Sequence, residues 1–186
     1  MRWLSHRVFR TLGWEFEGVI PDLPKMVIIG APHTSNWDFF LLLAALHHFD
    51  LAVRYLAKHT LFRWPFGTLV RATGGIPVDR GRAGGMVAQV KEAFDSVDRM
   101  ILVIAPEGTR KASPSWKSGF FQIAERTGVP VVLAGLDYAN RALTIGPELE
   151  VGDDRRAFMD RVRAFYSDKH GLHREQQGPV RIHQEG

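Results

Sequence analysis

Residues 28–49 read IIGAPHTSNWDFFLLLAALHHF. An apolar run stops at Gly30, Ala31 and Pro32. A polar stretch then carries His33 and Asp38 with four residues between them, and a long apolar segment follows. The run before the break is short, continuous and rich in Ile and Val, as expected of a strand buried on both faces. The segment after it is long enough for a helix. Strand, polar turn, helix: the same order recurs along the chain.

MVIIG, LAVRYLA, GIPVD, MILVIAP, VPVVLAGLDY and ALTIG read as strands. Between or after them stand the helical MVAQVKEAFDSV, SGFFQIAERTG (closed by Gly128) and RRAFMDRVRAFY. LFRWPFGTLVRATGG reads as a helix broken or begun at Trp64–Pro65. Strands that alternate with helices and do not alternate polar with apolar predict an α/β domain with a largely parallel sheet. The loops beyond the carboxyl ends of such strands are where sites are usually built.

Upstream, MRWLSHRVFRTLGW reads as an amphipathic helix over residues 1–14, with Leu4, Val8 and Leu12 on one face and Arg2, Arg7 and Arg10 away from it. A main domain is expected over 15–170, and a polar, loose tail from Gly171 to residue 186. The first helix either packs on the domain as an ordinary amphipathic helix or meets a membrane surface, where Trp3 and Trp14 would suit the interface.

A chain of 186 residues and 21.0 kDa fits one domain with a sizeable core. It has no cysteine, which excludes disulfides, thiolate metal sites and a cysteine nucleophile. No apolar run approaches the ~20 residues of a membrane span. FFLLLAAL is the longest candidate. A net charge of +4 and a pI near 9.7 favour anionic partners. Nucleic acid is not expected among them, because no binding motif is present and the basic residues are scattered.

At the seam, two readings share one geometry. Ser35 followed by Asp38 just before an apolar run matches a capping box in acidic form, with Ser35 as N-cap and His33 a mere loop residue. The same cap would also fold His33 back over Asp38. A carboxylate on one ring nitrogen fixes the tautomer and leaves the other nitrogen as a general base. Spacing alone does not separate the two. A metal site from His33, Asp38, His47 and His48 is disfavoured, because adjacent histidines point to different helix faces and no zinc spacing appears.

Three further stretches stand in order: FRWPFGTLVRATGGIPVDR, residues 62–80, with Lys58 just upstream; IAPEGTR, residues 104–110, followed by WKSGFF; and GVPVVLAG, residues 128–135. Each alone is a turn or a solvated arginine. Together with H-T-S-N-W-D they resemble the glycerolipid acyltransferase family, which includes 1-acylglycerol-3-phosphate acyltransferases. His33 and Asp38 stand at its H-x-x-x-x-D block, GGIPVDR with Arg80 at the second, PEGTR at the third and VPVV with Pro130 at the fourth. The similarity runs from Met26 to Leu133. Pro32 and Ala105 depart from the family's usual polar and aromatic residues at those positions.

The resemblance implies a single-domain, mixed but mostly parallel sheet flanked by helices, and direct acyl transfer. His33 would be the general base and Asp38 its orienter. Arg80 and Arg110 would meet a phosphate, Glu107 would position the acceptor, and Gly108, Thr109 and Pro130 would complete the substrate site. Lys58 and Lys117 are secondary candidates. Acyl-CoA or acyl-carrier protein would be co-substrate, with no metal and no other cofactor. The partners would be a thioester donor, a lipid or phosphorylated acceptor and an anionic membrane surface, with the protein cytoplasmic and peripheral on the inner face. A thioesterase or ester hydrolase using the same pair, and a catalytically silent lipid-binding relative, stay open.

Overall fold

A computed structural model describes residues 11, 13–63, 67–72, 74–78 and 85–183. The expected amino-terminal helix, with its seam of Leu4, Val8 and Leu12, lies outside the described residues but for its last few positions. Trp64–Pro65, the expected helix break, lies outside them too.

The strands are β1 (Glu15–Glu17), β2 (Lys25–Ala31), β3 (Val53–Lys58), β4 (Gly75–Val78), β5 (Met100–Ile104), β6 (Val131–Asp137) and β7 (Ala142–Leu149). The helices are α1 (Trp37–His48), α2 (Gly67–Ala72), α3 (Gly85–Asp95), α4 (Gly119–Thr127) and α5 (Arg155–Tyr166). Among the described residues all seven strands form one sheet, in the order β1-β7-β6-β2-β5-β3-β4. From β6 to β4 every pairing is parallel, and β7 runs antiparallel to β6. The expected α/β architecture with a mostly parallel mixed sheet is what the chain adopts. β1 was not legible in the sequence: three residues with two glutamates carry no strand pattern, and they are held by pairing with β7 and by the packing of Phe16.

Alternation along the central strand sorts the layers. Val27, Ile29 and Ala31 face one side, where α3, α4 and α5 pack through Val90, Phe94, Phe120, Phe121, Phe158 and Met159. Gly128 ends α4 in a left-handed conformation, φ 67°, which only a residue without Cβ adopts at little cost. Tyr166 pins α5 to the sheet, its buried hydroxyl donating to the Ile29 carbonyl at 2.7 Å. Met26 and Ile28 face the other side, with Val132, Leu143, Ile145 and Ala45 of α1. Among the described residues no helix is long and apolar enough to cross a membrane.

The expectation of a loose tail from Gly171 is corrected through His183. Ile182 is buried in the core beside Trp116, Val180 packs against that core, and residues 116 and 182 form a parallel bridge. Closer to the site, the His173 N–H donates to the Thr34 hydroxyl at 3.2 Å, and the Tyr138 N–H donates to the His170 carbonyl at 2.8 Å. His170 and the segment after it therefore hold Tyr138 and Thr34, both of which bond Asp38.

Candidate active site

Three adjacent parallel strands deliver the site. β5, β2 and β6 pair with Ile29 beside Ile104 and Ala31 beside Gly135. The chain leaves all three at the same edge of the sheet. The residues just past those ends, Glu107 after β5, His33 after β2 and Tyr138 after β6, must converge there.

They do. His33 Nδ1 lies 2.9 Å from Asp38 Oδ2. The same oxygen accepts the N–H groups of Thr34 and Ser35, each at 2.9 Å, while Oδ1 accepts the Tyr138 hydroxyl at 2.6 Å. Asp38 is 4% exposed, so four hydrogen bonds replace the water it has lost. Burial pushes its pKa up. The bonds from His33, Tyr138 and Ser35 outweigh that and hold it below the ordinary carboxylate value. An ionised carboxylate only accepts, so Nδ1 of His33 donates to it, and in the neutral ring the lone pair is then on Nε2.

The helix start combines both readings of the seam. The N-cap is Asn36 rather than Ser35, and its side chain makes no cap bond. Ser35 nonetheless accepts the Trp37 N–H on its hydroxyl at 3.1 Å, and Asp38 returns a bond to the Ser35 N–H. The capping interactions are present one residue out of register. Asp38 serves the helix and the histidine with one oxygen.

Glu107 lies beneath this loop. At 5% exposure it accepts the His33 backbone N–H on Oε1 at 2.9 Å, and among the described residues Oε2 has no side-chain hydrogen-bond partner. Its burial drives the pKa above the ordinary value, against the lowering effect of the His33 N–H. It grips the histidine loop from inside. Gly108, at φ 66°, turns the chain outward. Thr109 and Arg110 are exposed beyond it. The Thr109 hydroxyl accepts the Lys111 N–H at 3.2 Å, and the Arg110 guanidinium donates to the Asn36 side chain.

A cavity of about 1100 Å³ opens at this edge. His33, Asp38, Gly108, Thr109, Arg110, Lys111 and Lys117 line its polar part. Its interior runs between α1 and the sheet, past Leu42, Leu46, Phe49, Val103, Leu136, Leu143 and Ile145. Lys117 thus joins the site. Lys58 ends β3, and Arg80 lies outside the described residues.

Pro130 is not brought here. It precedes β6 and accepts the Val27 N–H at 3.0 Å on its carbonyl, at the opposite edge of the sheet. Val131 lies four residue steps before Gly135, the partner of Ala31, which is about 13 Å at 3.3 Å per residue. Its place in the substrate site is corrected to one at the base of a strand. His47 and His48 stand in the last turn of α1, roughly 14 Å along the helix from Asp38, with the His48 ring stacked on Phe16.

Tyr138 and Asn36 are site residues that sequence reasoning missed. Tyr138 directly follows β6, and its signal was that position alone. Its ring is held edge-on by Trp14, 5.0 Å between centroids. Tyr138→Phe is expected to strip Oδ1 of Asp38 of its donor. A hydrogen bond to a charged group contributes roughly 1.5–3 kcal/mol, so urea unfolding should register a loss of that order. The pKa of Asp38 should rise with it, and undiminished stability at neutral pH would show that the bond carries no weight.

Comparison with known proteins bears on what this arrangement is. The acyltransferase family model matches residues 16–135, more than half of the chain. Comparison with curated proteins gives no match. Among solved structures, the 1-acyl-sn-glycerophosphate acyltransferase PlsC from Thermotoga maritima is similar in fold. The TM-score is 0.55 at 19% identity, covering 89% of this chain and 73% of that one. With its histidine, carboxylate and PEGTR segments all inside the matched region, the chain belongs to the acyltransferase family.

Proposed function

We propose that the protein transfers a fatty acyl group from a thioester, acyl-CoA or acyl-carrier protein, to the hydroxyl of a phosphorylated glycerolipid acceptor. The observation that carries this is the position of the His33–Asp38 pair, at the polar mouth of a long apolar cavity with cationic side chains around it.

Nε2 of His33 takes the acceptor's hydroxyl proton as the oxygen attacks the thioester carbonyl. Asp38 holds the ring and stabilises the imidazolium, which then returns the proton to the departing thiolate. Base assistance of this kind contributes about 10²–10⁴-fold. Arg110 and Lys117, with Arg80, meet phosphate, the arginines through a planar fork that lysine lacks. Glu107 acts on the histidine's backbone rather than on the acceptor. The thioester supplies the activation, so the reaction as written needs no cofactor. The acyl chain lies in the apolar interior, where each buried methylene contributes about 0.8 kcal/mol.

Gly30 tests this directly. It lines the cavity, and a Cβ built on it meets nothing within 4 Å. Gly30→Leu should therefore fold normally while occupying the acyl path. Long chains would then overpack by about 1–3 kcal/mol. Competition between long and short acyl donors should shift toward the short by roughly tenfold or more. An unchanged chain-length profile would place the acyl group elsewhere.

A further inference from the structure

A helix resting on a sheet needs one apolar face, yet α1 is apolar nearly all round. Leu41, Ala44 and Ala45 are buried. On the other side Trp37 is 65% exposed, Phe39 42%, Phe40 54% and Leu43 39%. Half of the eight large hydrophobic side chains exposed among the described residues fall within these seven positions. They form one patch: the Trp37 and Phe40 ring centroids are 5.4 Å apart, and those of Phe39 and Phe40 6.0 Å. Scattered surface apolar residues are ordinary, whereas a contiguous aromatic patch marks a contact site.

The surroundings are cationic. Arg110 joins the start of α1 through Asn36, and Lys111 and Lys117 are exposed on the rim of the same cavity. The carboxylates carried by residues 33–49 and 104–118 are Asp38 and Glu107, and both are buried. An anionic surface approaching these segments meets positive charge and aromatic rings, the combination that suits a lipid headgroup layer. Phe39 also lines the cavity. Phe39 thus belongs both to the exposed patch and to the cavity wall, which puts the patch beside the cavity.

We propose that the Trp37-Phe39-Phe40-Leu43 face of α1 docks the protein on an anionic phospholipid bilayer, with the cavity mouth turned toward the lipid. The role assigned to the cavity rests on the acyl-transfer reading; docking itself does not. A second copy of the chain on this face would cover Phe39 at the cavity mouth, so it is the competing outcome.

The test uses the full chain and vesicles of equimolar phosphatidylcholine and phosphatidylglycerol. Wild type should co-sediment with them, less so as salt rises. The triple variant Trp37→Gln, Phe40→Gln, Leu43→Gln should lose about tenfold or more in partitioning. It should keep the wild-type melting curve and its turnover of a water-soluble, short-chain acceptor. Trp37→Phe should still bind, but lose most of the tryptophan quenching given by brominated lipid. That second variant keeps the proposal exposed even if the triple variant fails to fold. Vesicle binding unchanged in the triple variant, or quenching unchanged in Trp37→Phe, overturns it. So does a wild-type dimer that ignores vesicles and that Phe40→Gln dissociates. Vesicle binding without any acyl transfer would keep the docking and remove the proposed reaction. Transfer to the soluble acceptor without vesicle binding would do the reverse.

Discussion

Replacing His33 with alanine is expected to lower kcat by about 10²–10⁴-fold and to leave the fold intact. The imidazole side chain is 28% exposed and fills no part of the core. Without it Asp38 retains three of its four donors, the Thr34 and Ser35 N–H groups and the Tyr138 hydroxyl. The acceptor's phosphate is assigned to other side chains, so its KM should move little. Equal turnover by His33→Ala and wild type, with matched melting curves, would end the general-base role.

Asp38→Asn should be nearly as damaging and should leave a second signature in pH. An amide can keep its oxygen toward Thr34, Ser35 and His33 while its NH₂ donates to the Tyr138 oxygen, so the helix start survives. The imidazolium loses its counter-charge, and turnover should fall about 10²-fold or more. The folded-state pKa of Asp38 lies below the unfolded value, near 3.9. The carboxylate therefore stabilises the fold above that value, and the contribution is lost as pH falls through the folded one. Glu107, raised by burial, works in the opposite sense: it costs stability progressively as pH climbs from its unfolded value, near 4.3, through its folded one. Thermal unfolding from roughly pH 3 to pH 7 should show wild type losing more stability on acidification than Asp38→Asn. Parallel curves would mean that Asp38 titrates alike folded and unfolded.

The strand, turn and helix around residues 28–49 were legible because burial on both faces leaves an unbroken apolar run and the polar seam interrupts it sharply. The pairing of His33 with Asp38 is local and follows from the helix start. Tyr138 was not legible, since it reaches Asp38 across 100 residues of sequence and only the neighbouring of β2 and β6 brings it there. Pro130 was misplaced although the chain held a signal. A residue preceding a parallel strand belongs to the edge opposite the residues that follow one. The outward face of α1 left no periodicity to read, because its exposed side is as apolar as its buried side.

The most direct measurement of the central claim is the stoichiometry of products from one acyl thioester. Protein, acyl-CoA and 1-acylglycerol 3-phosphate are incubated, and free thiol, diacyl product and free fatty acid are quantified by mass spectrometry, with and without the acceptor. Acyl transfer through His33 predicts that thiol and diacyl product rise together one for one. Thiol release should fall to background without the acceptor, and both should vanish in His33→Ala. Thiol and free fatty acid released at the same rate whether or not the acceptor is present would contradict it, and would make the His33–Asp38 pair the base of a hydrolase.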